Sequence, residues 1–65
     1  MPVISVTLGE INKEQKKALI AGLTAKAIEI TNFPRHAFFV TINELSDENI
    51  GLGGQTVEDI KQGNA

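Results

Sequence analysis

Val3-Ile4-Ser5-Val6-Thr7-Leu8, broken by Gly9 and followed by Asn12-Lys13-Glu14-Gln15, decides the fold of this 65-residue chain. Ile4, Val6 and Leu8 alternate with Val3, Ser5 and Thr7, the two-residue period of a half-buried strand. Asn12 then offers a side-chain oxygen to an orphan backbone N–H. Gln15 stands three residues on, where a capping box places Glu or Gln. A helix is therefore expected from Lys13 to about Thr31. Leu19, Ile20, Leu23, Ala27 and Ile30 recur at three- and four-residue steps as its apolar stripe. Lys13, Lys17 and Glu29 fall elsewhere on the wheel, and Lys13, Lys16, Lys17 and Lys26 read as surface charges. Asn32-Phe33-Pro34 ends the helix, because Pro34 disfavours the α conformation at Phe33.

Working outward, Phe38-Phe39-Val40-Thr41-Ile42-Asn43 reads as a second strand with Phe38, Val40 and Ile42 on one face. Ser46-Asp47-Glu48-Asn49 is a polar loop. Gly51-Leu52-Gly53-Gly54 predicts a tight turn with positive φ angles. From Gln55 onward only Val57 and Ile60 are available to dock a tail. Strand, helix and strand in about forty residues make a βαβ unit with parallel strands and a right-handed crossover. The expected architecture is α/β (α+β): a single domain over residues 1–65, one βαβ unit plus a short C-terminal hairpin or tail. One helix covers one face of a two-stranded sheet. The other face, with Phe39 and Thr41, requires cover, and a second copy of the chain is the simplest source.

Composition agrees. A chain this short buries only about 60% of the surface its unfolded form exposes, and it gains margin from disulfides, a metal or self-association. There are no cysteines, and one histidine, His36, without a second histidine or a nearby carboxylate cluster. That leaves self-association, so a homo-oligomer without metal or cofactor is expected. A net charge of −2 gives no electrostatic footprint for nucleic acid, and the three Phe are the only aromatics. No apolar run reaches the roughly 18 residues of a membrane span. No signal-peptide pattern opens the chain, so a cytoplasmic location is expected.

The usual catalytic constellations are absent. There is no Cys–His pair, and the glycines near Gly51 lack the Lys-Ser/Thr of a phosphate loop. Glu44, Asp47 and Glu48 read as a solvated acidic loop. Pro2 stands apart. Removal of Met1 before a small residue frees a secondary amine at the start of a strand. An ordinary α-amino group has a pKa of about 7.7–8.0, lowered by partial burial or nearby positive charge. Such a base takes a proton from carbon next to a carbonyl and returns it elsewhere. While Met1 remains attached, the same nitrogen is an amide and no base.

Pro2 before a short strand, Glu14-Gln15-Lys16 and Leu19-Ile20 opening a helix, Pro34 before the second strand, Glu44 near its end and the Gly51-Leu52-Gly53-Gly54 turn together resemble the 4-oxalocrotonate tautomerase family. The resemblance covers nearly the whole chain, with one short gap between Gly9 and Asn12. It implies a βαβ subunit assembled as dimers, commonly as a trimer of dimers (a hexamer), with active sites at subunit contacts. It also implies Pro2 as the proton shuttle of an enol–keto isomerisation. The best-known members hold a dicarboxylate with two arginines, and both are missing here. Glu10, Ile11 and Asn12 occupy the region of the first, and Phe39 the position of the second. Ile50 replaces an aromatic residue that packs over the substrate.

Arginine binds a carboxylate bidentately, and hydrogen bonds to charged groups are worth about 1.5–3 kcal/mol each. Without two such partners, Phe39 and Ile50 imply a more apolar pocket and a smaller or less charged enol or keto acid. Arg35, the lone arginine, is the candidate replacement clamp, while His36 reads as an ordinary loop residue. Two other readings stay open. One is hydration or dehalogenation of unsaturated acids, with Glu44 or Asn43 activating water. The other is a non-catalytic oligomeric module that keeps the fold.

Overall fold

In the computed structural model, which describes residues 1–63, the chain runs β1 (Val3–Leu8), α1 (Lys13–Thr31), β2 (Phe39–Glu44), β3 (Gly51–Leu52), β4 (Gln55–Thr56) and α2 (Val57–Lys61). Strands β1 and β2 pair in parallel, in register from Val3 opposite Phe39 to Leu8 opposite Glu44. Helix α1 carries the chain from the carboxyl end of β1 back to the amino end of β2, as the βαβ pattern requires.

The capping box is present as read. Asn12 Oδ1 accepts the Gln15 N–H at 2.8 Å, and Gln15 Oε1 accepts the Asn12 N–H at 3.0 Å. The other end of α1 falls at Asn32, as read, but Asn32's own conformation sets it before Pro34 does. Asn32 takes the left-handed conformation at φ 60° while its N–H donates to Ile28 O at 2.8 Å. Asparagine tolerates that conformation where most residues do not. Pro34 follows two residues later and opens a 3₁₀ turn, Arg35–Ala37, so β2 starts at Phe39 rather than Phe38.

Strand alternation holds throughout. Ile4, Val6 and Leu8 on β1, with Val40 and Ile42 on β2, are half-buried, while their neighbours in each strand are exposed. The helical stripe needs correction. Leu19, Leu23, Ala27 and Ile28 are half-buried, but Ile20 is 41% exposed and Ile30 73%. At about 100° per residue both fall within the arc of Leu19, Leu23, Ala27 and Ile28, so they lie on the face of the stripe but receive little cover from their own chain. Lys16 is also more than a surface charge, since it is half-buried on that face.

The glycine turn is a two-residue hairpin between β3 and β4, with φ 63° at Gly53 and 87° at Gly54. Positive φ at both central positions is the requirement of a type I′ turn. The tail beyond it is partly a helix. Thr56 caps α2 by accepting the Asp59 N–H at 3.1 Å. Asn64 and Ala65, the last two residues of the predicted tail and domain, lie outside the described residues.

No described residue is fully buried. The radius of gyration is 15.7 Å, against about 11 Å for a compact chain of this length, and the molecule extends 48 × 24 × 15 Å. Hydrophobic burial is the main favourable contribution to folding. A lone chain that buries nothing completely lacks the core it would need. The sheet also has two open edges and one open face, on which Thr41 Oγ1 donates to Ser5 Oγ at 3.0 Å.

Candidate active site

Three consecutive backbone N–H groups build the amino end of the sheet. The Phe39 N–H donates to Pro2 O at 3.1 Å, extending the ladder one step beyond β1. The Phe38 N–H donates to Arg35 O at 3.3 Å, and the Ala37 N–H to Pro34 O at 3.0 Å, closing the 3₁₀ turn. Pro2, Arg35 and Phe39 are thereby gathered at one end of one chain. Pro2 is half-buried, whereas Met1 before it is 85% exposed and reachable by a processing enzyme. Phe39 is 54% exposed on the uncovered sheet face, opposite Val3 at 53%.

Ile50 is not brought to this group. Its N–H donates to Asp47 O at 3.3 Å, and its carbonyl accepts the Val57 N–H at 2.8 Å. It therefore belongs to the cluster beyond the carboxyl end of β2, where the Leu45 N–H donates to Leu8 O at 2.8 Å. Six strand residues at about 3.3 Å each place that end roughly 20 Å from Pro2. A depression of about 380 Å³ lined by Glu10, Leu45, Asp47, Glu58 and Lys61, among others, lies there too, and it includes none of the four candidate residues.

Glu44 is occupied. Its Oε1 lies 2.6 Å from Lys16 Nζ, and its Oε2 accepts the Ile11 N–H at 2.9 Å. The hydrogen bond from Lys16, reinforced by that of Ile11, holds the carboxyl below its usual range despite some desolvation. This carboxylate ties the end of β2 to the loop before α1 and to its second turn. A group whose folded pKa is depressed stabilises above its unfolded pKa, near 4.3 for Glu. That contribution is lost as pH falls through the lower folded value. Glu44→Gln should therefore lower the melting temperature at neutral pH, with the gap to wild type closing as both are acidified below about pH 4. A gap independent of pH would show that the charge is immaterial. Sequence reading missed this tie because its partners lie 28 and 33 positions away from Glu44.

No group of three or more His, Cys, Asp or Glu side chains placed to hold a metal ion occurs among the described residues, and no described helix is long and apolar enough to cross a membrane. What the amino end does hold is Pro2, next after Met1, at the head of a parallel βαβ unit. Residues 2–60 match the tautomerase enzyme family, a match that starts at Pro2. The chain belongs to the tautomerase family. A probable tautomerase of Helicobacter pylori is 34% identical over 68 residues, covering 98% of this chain and 100% of the relative. The crystal structure of an apo unfused 4-OT superposes with a TM-score of 0.81 at 37% identity, covering 89% of this chain and 97% of the other. That of YwhB, a homologue of 4-oxalocrotonate tautomerase, gives 0.84 at 25% identity over 89% and 97%. The expected fold and family are thus both observed.

Proposed function

We propose that this tautomerase-family chain is a cofactor-independent isomerase that moves a proton in an enol–keto acid with the Pro2 nitrogen as general base, once Met1 is removed. The observation that carries the reading is the placement of Pro2. It is half-buried at the head of β1 and fixed through its carbonyl to Phe39. In the keto-to-enol direction the neutral ring nitrogen takes a proton from the carbon beside the carbonyl. It then hands that proton to the enolate oxygen. In the reverse direction the neutral nitrogen takes the enol O–H proton and delivers it to the carbon, so the amine is regenerated each time and nothing else is consumed.

A second copy completes the site. The open face beside Phe39 and the absence of any fully buried residue among those described call for self-association. Ile50, far from its own chain's Pro2, serves the Pro2 of another copy, where it and Phe39 form the apolar walls. Whether two or six chains assemble, the requirement is the same. The hydration reading has less support, because Glu44 is engaged on both oxygens and stands with Asn43 at the far end of β2.

The test is ketonisation of phenylenolpyruvate, followed by loss of enol absorbance, with the processed protein and with Pro2→Ala. The processed protein should accelerate the reaction and Pro2→Ala should lose most of that acceleration. Equal rates would remove Pro2 from the mechanism, and no acceleration by either would favour the non-catalytic module.

A further inference from the structure

Resting on the assignment of the site to the Pro2 end, we infer that Arg35 is the carboxylate-binding residue of that site and that the substrate is a monoanion with an apolar body. The 3₁₀ turn Arg35–Ala37 delivers Arg35 to the end of the sheet where Phe39 is bonded to Pro2. Arg35 is exposed, and its guanidinium makes no ion pair or hydrogen bond among the described residues. Three of the five lysines are already engaged: Lys16 with Glu44, Lys26 with Glu29 and Lys61 with Asp47. Lys13 and Lys17 make no ion pair among the described residues but lie in the first turns of α1. That helix has 19 residues, or about 28 Å at 1.5 Å per residue, so both lysines sit near the opposite end of the molecule.

The acidic residues point the same way. Of eight, Glu10, Glu14, Glu44, Asp47, Glu48, Glu58 and Asp59 all belong to elements at the carboxyl end of the sheet. Only Glu29 lies towards the Pro2 end, and Lys26 stands 3.2 Å from it. An anion approaching Pro2 therefore meets a free guanidinium and, among the described residues, no unpaired carboxylate of the same chain. Around it are exposed apolar side chains: Val3, Phe39, Phe33 at 50% and Ile30 at 73%. One guanidinium binds one carboxylate bidentately. A second carboxylate on the substrate would lie against that apolar surface without a donor, and an unpaired charge there is disfavoured.

The experiment reads binding and turnover separately. Wild type, Arg35→Gln, Arg35→Lys, His36→Ala and Pro2→Ala, all processed, are titrated with unreactive 3-phenylpropionate and with its amide, following backbone amide shifts. Arg35→Gln should weaken the acid about 10–100-fold, the factor that a charged hydrogen-bond partner supports. The amide should bind wild type and Arg35→Gln alike, Arg35→Lys should recover part of the loss, and His36→Ala should retain the preference for the acid. With phenylenolpyruvate, KM should rise by the same factor in Arg35→Gln while kcat changes less. A dicarboxylate of equal length should bind wild type no better than the monoacid. Acid binding unchanged in Arg35→Gln, or lost equally for acid and amide, would overturn the inference. Retained acid binding by a protein whose turnover ignores Pro2 would sink the catalytic reading and leave this one standing.

Discussion

Protein that retains Met1 should ketonise phenylenolpyruvate about 10²–10⁴-fold more slowly than the same chain beginning at Pro2, the range that a positioned general base contributes. The physical reason is electronic. Acylated by Met1, the Pro2 nitrogen gives its lone pair to the amide, and the tertiary amide neither accepts nor returns a proton near neutral pH. No other described residue at this end replaces it. His36 belongs to the neighbouring turn, but its imidazole is exposed and has no hydrogen bond or ion pair among the described residues to orient it, and Glu29 is paired. Fold and assembly should survive the extension, because Met1 is 85% exposed. The comparison needs protein of both kinds checked by intact mass, with circular dichroism to show equal folding. Equal rates would mean that the extra residue blocks nothing that matters.

The second large effect concerns assembly. Thr41→Glu should leave the chain monomeric and largely unfolded, whereas Thr41→Val should assemble as wild type does. Thr41 lies mid-strand on the uncovered face, hydrogen-bonded to Ser5 across the pair. If another copy closes over that face, a buried and unpaired carboxylate costs several kcal/mol. A domain of this length commands only about 3–10 kcal/mol in total. Since no described residue is fully buried within one chain, folding and association should be a single equilibrium, with a melting temperature that rises with protein concentration. Sedimentation of wild type together with melting at several concentrations checks this. A monodisperse 7.0 kDa species that melts cooperatively, independent of concentration, would contradict it.

Much of the fold was legible because its determinants are local. The Val3–Leu8 alternation, the Asn12–Gln15 box and the paired glycines at 53 and 54 each act within a few residues, and each appears where it was read. Failures came where the deciding contact is distant or external. Asn32 ends α1 through its own φ, a signal obscured by the more conspicuous Pro34. The five residues of α2 form although so short a helix is marginal alone. Their cues were Thr56 and Asp59, capping residues one turn apart, and Lys61 holds the helix to Asp47 at 3.0 Å. Ile20 and Ile30 looked like core because periodicity cannot separate a face covered by the same chain from one covered by another copy. Ile50 was named as a site residue through the family resemblance, and only the structure shows that it lies far from Pro2 of its own chain.

The most direct test of the central claim is titration of the Pro2 nitrogen itself. The chain contains two prolines, so protein labelled with ¹⁵N-proline gives two signals, and the amide nitrogen of Pro34 does not titrate. In the processed protein the Pro2 signal should shift with a single pKa that coincides with the rise of kcat/KM as the amine loses its proton. A Pro2 nitrogen that shows no titration in protein taken from cells, or one that titrates well away from the kinetic pKa, would contradict the account.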